Sequence, residues 1–240
     1  SKVYFTPTFI GAEQLDASQP AMYVGNHSLY GVLDSPMLID YLYNEHQVAV
    51  VSIADHSHFY LPLWRSVVKK FGAVDGVPAY VREAMQQGYS ILVFPGGGRE
   101  VLKREGEQYQ LIWKQRYGFL KLAQEFGYDI VPFAALGGDE VFDIGFDANK
   151  VVQHQYFQKL LQVPQLSLLL RKGEVIPSLP KHLIPKRLPF YFKFMPRQSL
   201  MHIENLEQLQ QFRDLIAAEI YTGLADLRVL RQQQHGDRFD

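Results

Sequence analysis

Two short segments carry residue types that could do chemistry together. The first runs Tyr23-Val-Gly-Asn-His-Ser-Leu-Tyr-Gly-Val-Leu-Asp-Ser-Pro36. Its His27 can take and return a proton near neutral pH. A carboxylate on the other ring nitrogen, here Asp34, would fix the tautomer and stabilise the imidazolium. Taken singly, each residue has a plainer reading. His27 reads as a hydrogen-bonded loop histidine, and Asp34 as a cap or first-turn acid of a helix opened by Ser35-Pro36. The second segment is Ser90-Ile-Leu-Val-Phe-Pro-Gly-Gly-Gly-Arg-Glu100, an apolar run ending in three glycines. Gly96, Gly97 and Gly98 would let backbone N–H groups approach a ligand closely. Arg99 can hold a carboxylate or phosphate through two parallel hydrogen bonds, or close a tight turn by pairing with Glu100. No Walker ending, G-x-G-x-x-G or G-x-S-x-G elbow is present, which removes the best support for a nucleotide binder or a serine hydrolase.

Two other clusters are weaker. Asp55, His56 and His58 lack a third ligand at helical spacing, so they read as structural or pocket-lining residues and no metal is expected. Lys181, Lys186, Arg187, Lys193 and Arg197 fall in a stretch without an acid, interleaved with aromatics. That stretch would meet anionic headgroups or a phosphate-bearing co-substrate, or else serve as a solvated strand edge that discourages aggregation.

The elements that must position these residues alternate strand, loop and helix. Met22–Gly25 reads as a strand entering the His27 loop, followed by a helix from Ser35-Pro36 to about Asn44 and a buried strand over Gln47–Ala54. Pro78 opens a helix that Gly88 closes before a strand over Tyr89–Phe94. Trp113–Phe126 reads as a helix stopped by Gly127, ahead of a strand over Tyr128–Phe133. This order predicts an α/β fold, a mostly parallel central sheet flanked by helices. Phe190, Phe192 and Phe194 share one face of a later strand. Apolar residues at helical spacing from Leu206 to Leu230 mark an amphipathic C-terminal helix, within 203–233, packed on a single domain spanning 1–240. A membrane-surface or dimer helix is the alternative, against which its mixed-sign polar face argues.

Composition bounds the rest. The chain has 240 residues, 47% hydrophobic, with 24 Lys and Arg against 25 Asp and Glu. That excludes disorder and argues against a nucleic-acid partner. Cysteine is absent, which removes disulfides, thiolate metal sites and Cys nucleophiles, and is compatible with a reducing cytoplasm. No apolar run is long enough to span a bilayer and no signal peptide is visible, though an upstream anchor stays open.

Taken in order, the blocks Gly25-Asn26-His27…Asp34 and Phe94-Pro95-Gly96-Gly97-Gly98-Arg99-Glu100 resemble the glycerolipid acyltransferase superfamily. The closer similarity is to the branch of diacylglycerol acyltransferases and phytyl ester synthases. It rests also on Ala54-Asp55-His56, Phe71-Gly72-Ala73-Val74, Lys103-Arg104-Glu105-Gly106-Glu107, Gly118-Phe119 and Ile130-Val131-Pro132-Phe133, and covers roughly residues 20–145. The resemblance implies transfer of a fatty acyl group from a thioester to a lipid hydroxyl, with His27 as general base and Asp34 orienting it. Gly96, Gly97, Gly98, Arg99 and Glu100 would then line the substrate site, and Asn26, His56 and Arg104 would contact pocket or headgroup. No permanently bound cofactor is implied; acyl-CoA or acyl-ACP is the co-substrate. The expected setting is cytoplasmic, peripheral at the cytoplasmic face of a membrane. The alternatives are a non-catalytic lipid- or acyl-CoA-binding relative and a thioesterase or lipid hydrolase using the same histidine.

Two departures from the family pattern matter. The pattern leaves four residues between His and Asp, whereas six stand here. On a continuous helix a separation of seven residues rises about 10.5 Å, too far for a hydrogen bond, so a pair requires a loop that includes Gly31. The family's Glu after Phe-Pro is Gly96, and its Arg between the two main motifs has no match at Gly72–Gly76. The expected acceptor is a lysophospholipid, diacylglycerol or a long-chain alcohol; in the family those positions hold a phosphate-bearing acceptor, so their loss favours a neutral one, such as diacylglycerol or a long-chain alcohol, over lysophosphatidate.

Overall fold

The computed structural model describes residues 4–54 and 73–236. A seven-stranded sheet runs β1 (Pro7–Ile10), β9 (Phe190–Phe194), β6 (Asp129–Leu136), β2 (Ala21–Gly25), β5 (Ser90–Val93), β3 (Val50–Ala54), β4 (Ala73–Asp75). The five strands from β6 to β4 are parallel. β9 meets β6 antiparallel and carries β1 parallel to itself.

Period-two alternation sorts the central strands into two cores. Met22, Val24, Ile91, Val93, Ile130 and Ala134 face one side. Covering that side are α2 (Pro78–Gln86), α4 (Gly118–Phe126) and the long α8 (Leu206–His235). Tyr23, Leu92, Val131, Phe133 and Ala135 face the other side, where α1 (Asp34–His46) packs with an aromatic group that includes Phe190, Phe192 and Phe194. All three phenylalanines are buried, because β9 lies between two strands with both its faces covered.

Several boundaries differ from the sequence reading. The strand placed at Gln47 starts at Val50, because Gln47 is the left-handed cap of α1. The helix placed from Trp113 starts at Gly118; Lys114 is left-handed and Trp113 is buried in the core. Ser35 does not cap α1, which begins at Asp34. The C-terminal helix runs five residues past Leu230. Its buried stripe of Leu209, Ile216, Ile220, Leu224 and Leu227 lies on the sheet, so the apolar face that a membrane or second copy would have needed is occupied.

The register Val24↔Val93 sets the carboxyl ends of β2 and β5 side by side. The loops that follow them, carrying His27 and Gly96–Glu100, therefore emerge together at the sheet edge where ligands of parallel α/β folds collect. Glu100 belongs to the short α3 (Gly97–Val101). Between β6 and β9 the chain makes an excursion with a two-stranded ribbon, β7 (Ile144–Phe146) and β8 (Leu179–Pro180). It also holds three short helices, α5 (Asn149–Val152), α6 (Gln155–Leu160) and α7 (Pro164–Leu169).

Candidate active site

His27 leaves the end of β2 and its ring stacks on Phe94, 3.8 Å between centroids and 9° between planes. Its Nδ1 donates to Asp34 Oδ2 at 2.8 Å. The seven-residue separation is closed by a loop, not a helix. Tyr30 and Gly31 are both left-handed, with φ 63° each, and Gly31 N–H turns back to Ser28 O at 3.0 Å. Gly31 also passes so close that a Cβ there would stand 2.7 Å from His27 Nε2 and Cε1. A glycine is therefore required twice, for its φ and for the ring beside it. Nε2 makes no hydrogen bond among the described residues and remains the atom able to take a proton.

Asp34 is buried, which by itself pushes its carboxyl up. The adjacent His27, the bond from its ring and N–H donors from Ser28 (2.7 Å) and Ser35 (2.8 Å) outweigh that and hold it at about 2. It is thus ionised across the working pH range and keeps the His27 proton on Nδ1.

The loop itself is held by buried charges. Glu100 is fully buried and accepts His27 N–H through Oε1 at 2.8 Å, while its Oε2 has no partner. Burial pushes this carboxyl up to about 7, although the Lys103 charge and the His27 N–H pull the other way. Lys103, also buried, donates to His27 O at 2.5 Å and to Asp139 at 2.8 and 3.1 Å. Asp139 in turn accepts Leu29 N–H and Tyr109 N–H, both at 2.6 Å. Tyr30 N–H donates to Val101 O at 2.8 Å. Each backbone N–H from His27 to Gly31 is thereby fixed, so the ring is aimed by its main chain as well as by Asp34.

A family model described as Acyltransferase matches residues 6–135. The chain belongs to the Acyltransferase family. Phytyl ester synthase 2, chloroplastic, of Arabidopsis thaliana is 34% identical over 145 residues, covering 57% of this chain and 20% of that protein. The DGAT1/2-independent enzyme synthesizing storage lipids of Bos taurus is 31% identical over 99 residues, covering 38% of this chain and 29% of that one. The chain thus spans about a fifth of the phytyl ester synthases it matches. The 1-acyl-sn-glycerophosphate (LPA) acyltransferase PlsC of Thermotoga maritima shares the fold, with a TM-score of 0.57 over 94% of this chain and 73% of that one at 15% identity.

The remaining residues singled out in the sequence fall in different places. Gly96 ends the turn after β5, and Gly97 and Gly98 open α3. A Cβ on Gly96 would lie 1.7 Å from Glu100 Oε2, so the Glu100 side chain fills the space of a side chain at 96. The carboxylate that the family pattern puts at 96 comes here from one helical turn later. Arg99 is mostly buried and is engaged by Glu107 (2.5 Å) and Leu102 O (3.2 Å). Arg104 donates to Asn149 Oδ1 (3.1 Å) and Gly173 O (3.0 Å), tying the 103–107 turn to the excursion. Asn26 is buried and pairs with Ala135 N–H and C=O, both at 2.8 Å, extending the β2–β6 ladder by one side chain. His56 lies outside the described residues. Among the described residues no cluster of His, Asp and Glu is arranged to hold a metal.

Sequence reasoning assigned no role to Lys103, Asp139, Tyr109 or Arg116. Arg116 donates to Pro95 O (3.0 Å) and Gly96 O (2.5 Å), bracing the glycine turn. Tyr109 is buried, which raises its hydroxyl well above the usual range. It joins Gly137 N–H to Glu140, which Arg231 of α8 grips at 2.9 and 2.7 Å. One signal was available: Asp139 stands just past Gly137-Gly138 at the end of β6, the parallel strand beside His27's own.

Proposed function

We propose that this acyltransferase moves a fatty acyl group from an acyl thioester, on CoA or an acyl carrier protein, to the hydroxyl of a neutral lipid. Diacylglycerol and long-chain alcohols are the favoured acceptors over lysophospholipids. His27 Nε2 removes the acceptor hydroxyl proton as the oxygen attacks the thioester carbonyl. The tetrahedral intermediate collapses, the C–S bond breaks, and the imidazolium returns the proton to the thiolate. Asp34 holds the tautomer and stabilises the transient charge. The Gly96–Gly98 turn is where the reacting carbonyl comes close to the backbone, and the lipid reaches it from a membrane surface.

The observation that carries this reading is the 2.8 Å Nδ1–Asp34 contact, made despite a chain separation that a helix would not bridge. Support for a neutral acceptor comes from Arg99, whose guanidinium is already engaged by Glu107.

The test is labelled palmitoyl transfer from CoA, and in parallel from acyl carrier protein, to a panel of diacylglycerol, fatty alcohols and lysophospholipids, beside His27→Ala. A labelled neutral ester that disappears in the variant is expected. Lysophospholipid as the sole acceptor would overturn the acceptor assignment. Free fatty acid without ester would make the protein a thioesterase. Thioester binding without turnover, indifferent to His27→Ala, would make it a binding relative.

A further inference from the structure

Residues 153–188 of the excursion between β6 and β9 take no part in the proposed chemistry. Helices α6 and α7 bury no residue. Leu168, Leu169, Leu183 and Ile184 are 82, 74, 87 and 76% exposed. Among the described residues only Met201 is another large apolar side chain as open to water. Such a concentration of aliphatic surface marks a contact made elsewhere.

Charge says what kind of contact. From residue 153 to residue 188 the chain carries Lys159, Arg171, Lys172, Lys181, Lys186 and Arg187, all exposed, against Glu174 as its one acid. The whole chain is balanced, at 24 against 25. Lys186 is paired with Asp143 at 2.6 Å, and Lys114, outside the stretch, with Glu174. Between Lys114, Arg171, Lys172, Glu174 and Leu168 an open groove of about 540 Å³ combines charged walls, three cations to one acid, with an apolar one.

The surface is also fastened to the site. Tyr30, in the His27 loop, donates to Ser178 O at 3.1 Å and packs edge-on against Phe142. Arg104 reaches Gly173 O. The excursion is thus tied at Gly173 and Ser178 to the segments that hold His27.

We propose that the 153–188 excursion docks this protein on an anionic lipid bilayer. Its leucines and isoleucine would enter the headgroup–acyl boundary and its cations would meet lipid phosphates, so that the acceptor passes from the leaflet to His27. No helix among the described residues is long and apolar enough to cross a membrane, and an interfacial contact needs none. The proposal deepens the function above and rests on it only for why docking is useful, since docking itself involves no catalysis.

The experiment is flotation of the full chain with vesicles of phosphatidylcholine alone or mixed with phosphatidylglycerol, at low and high salt. The parent floats with the mixed vesicles and salt weakens it. Leu169→Ser/Leu183→Ser/Ile184→Ser and, separately, Lys159→Glu/Lys181→Glu each lower partitioning about tenfold or more, with the melting temperature unchanged. His27→Ala floats like the parent, so failure of catalysis leaves this result standing. Turnover of a short-chain soluble alcohol is unchanged in both surface variants, while turnover of a vesicle-embedded acceptor falls. The proposal is overturned if the parent does not float, or if the variants float as it does. It is equally overturned if sedimentation shows a parent dimer that the aliphatic variant dissociates, or if only an acidic carrier protein is retained by the basic residues.

Discussion

The His27 loop and the 153–188 stretch touch through Tyr30, which donates to Ser178 O, yet they are built on opposite terms. In the loop, His27 and Leu29 N–H groups end on buried carboxylates of Glu100 and Asp139, and Lys103 closes the group within the same dry volume. In the excursion, two helices bury nothing and aliphatic side chains stand in water. The difference matches the two tasks proposed for them. A base must be held to a fraction of an ångström, and buried charges with few alternative partners do that at a cost in desolvation. A surface that meets a fluid partner needs area and sign of charge, which exposed side chains provide without a fixed partner.

Substitutions can break this contrast, and the largest effect belongs to the loop. His27→Ala should lower turnover by about 10²–10⁴-fold, the usual contribution of a general base, while circular dichroism shows the fold retained. A variant of near-parental rate would remove the base from the mechanism. Lys103→Met strands Asp139 in the interior and should cost about 3–5 kcal/mol, read from urea unfolding; a loss below about 1 kcal/mol would mean that water reaches the pair. Gly31→Ala puts a methyl against the imidazole, and a displaced base costs on the order of 10²-fold in kcat. The left-handed backbone adds about 1–2 kcal/mol of destabilisation, and an unaltered kcat would show that the ring has room to move.

Glu100→Gln gives a smaller effect with a defined pH window. The folded chain holds this carboxyl at about 7 against an ordinary 4.5. Its contribution to stability is therefore fully present below pH 4.5 and is lost as pH rises through 7. Gln keeps an acceptor for His27 N–H and carries no charge. The variant should melt higher than the parent at pH 8, by about 2–4 °C for each kcal/mol in a chain of this size, and show no gain near pH 4. Equal melting curves at both pH values would contradict the burial of a charged Glu100. Smallest of all, Leu169→Ser should shift unfolding free energy by no more than about 0.5 kcal/mol, since the side chain leaves little packing behind.

The α/β class, the parallel sheet and the chemistry-bearing loops were legible because their causes are local. Gly127 stops a helix before an apolar run, and Pro78 opens one. Residue type suggested His27 and Asp34 as a pair, but only the resemblance gave reason to keep them together, because a seven-residue separation on a helix argued against it. The helix drawn from Trp113 failed because an apolar residue at helical spacing also fits a buried turn.

What the sequence by itself determined is the order of elements and the residue types at the two strand ends, both set by periodicity, caps and breakers acting over a few residues. The tertiary structure alone decided how six residues between His27 and Asp34 fold back, since that depends on Tyr30 and Gly31 adopting left-handed backbone against Val101. It alone showed that Glu100 occupies the space above Gly96, and that Asp139 and Lys103 clamp the loop. Those contacts join segments far apart in the chain, and burial turns ordinary charged residues into fixed ones only once the sheet has brought them together.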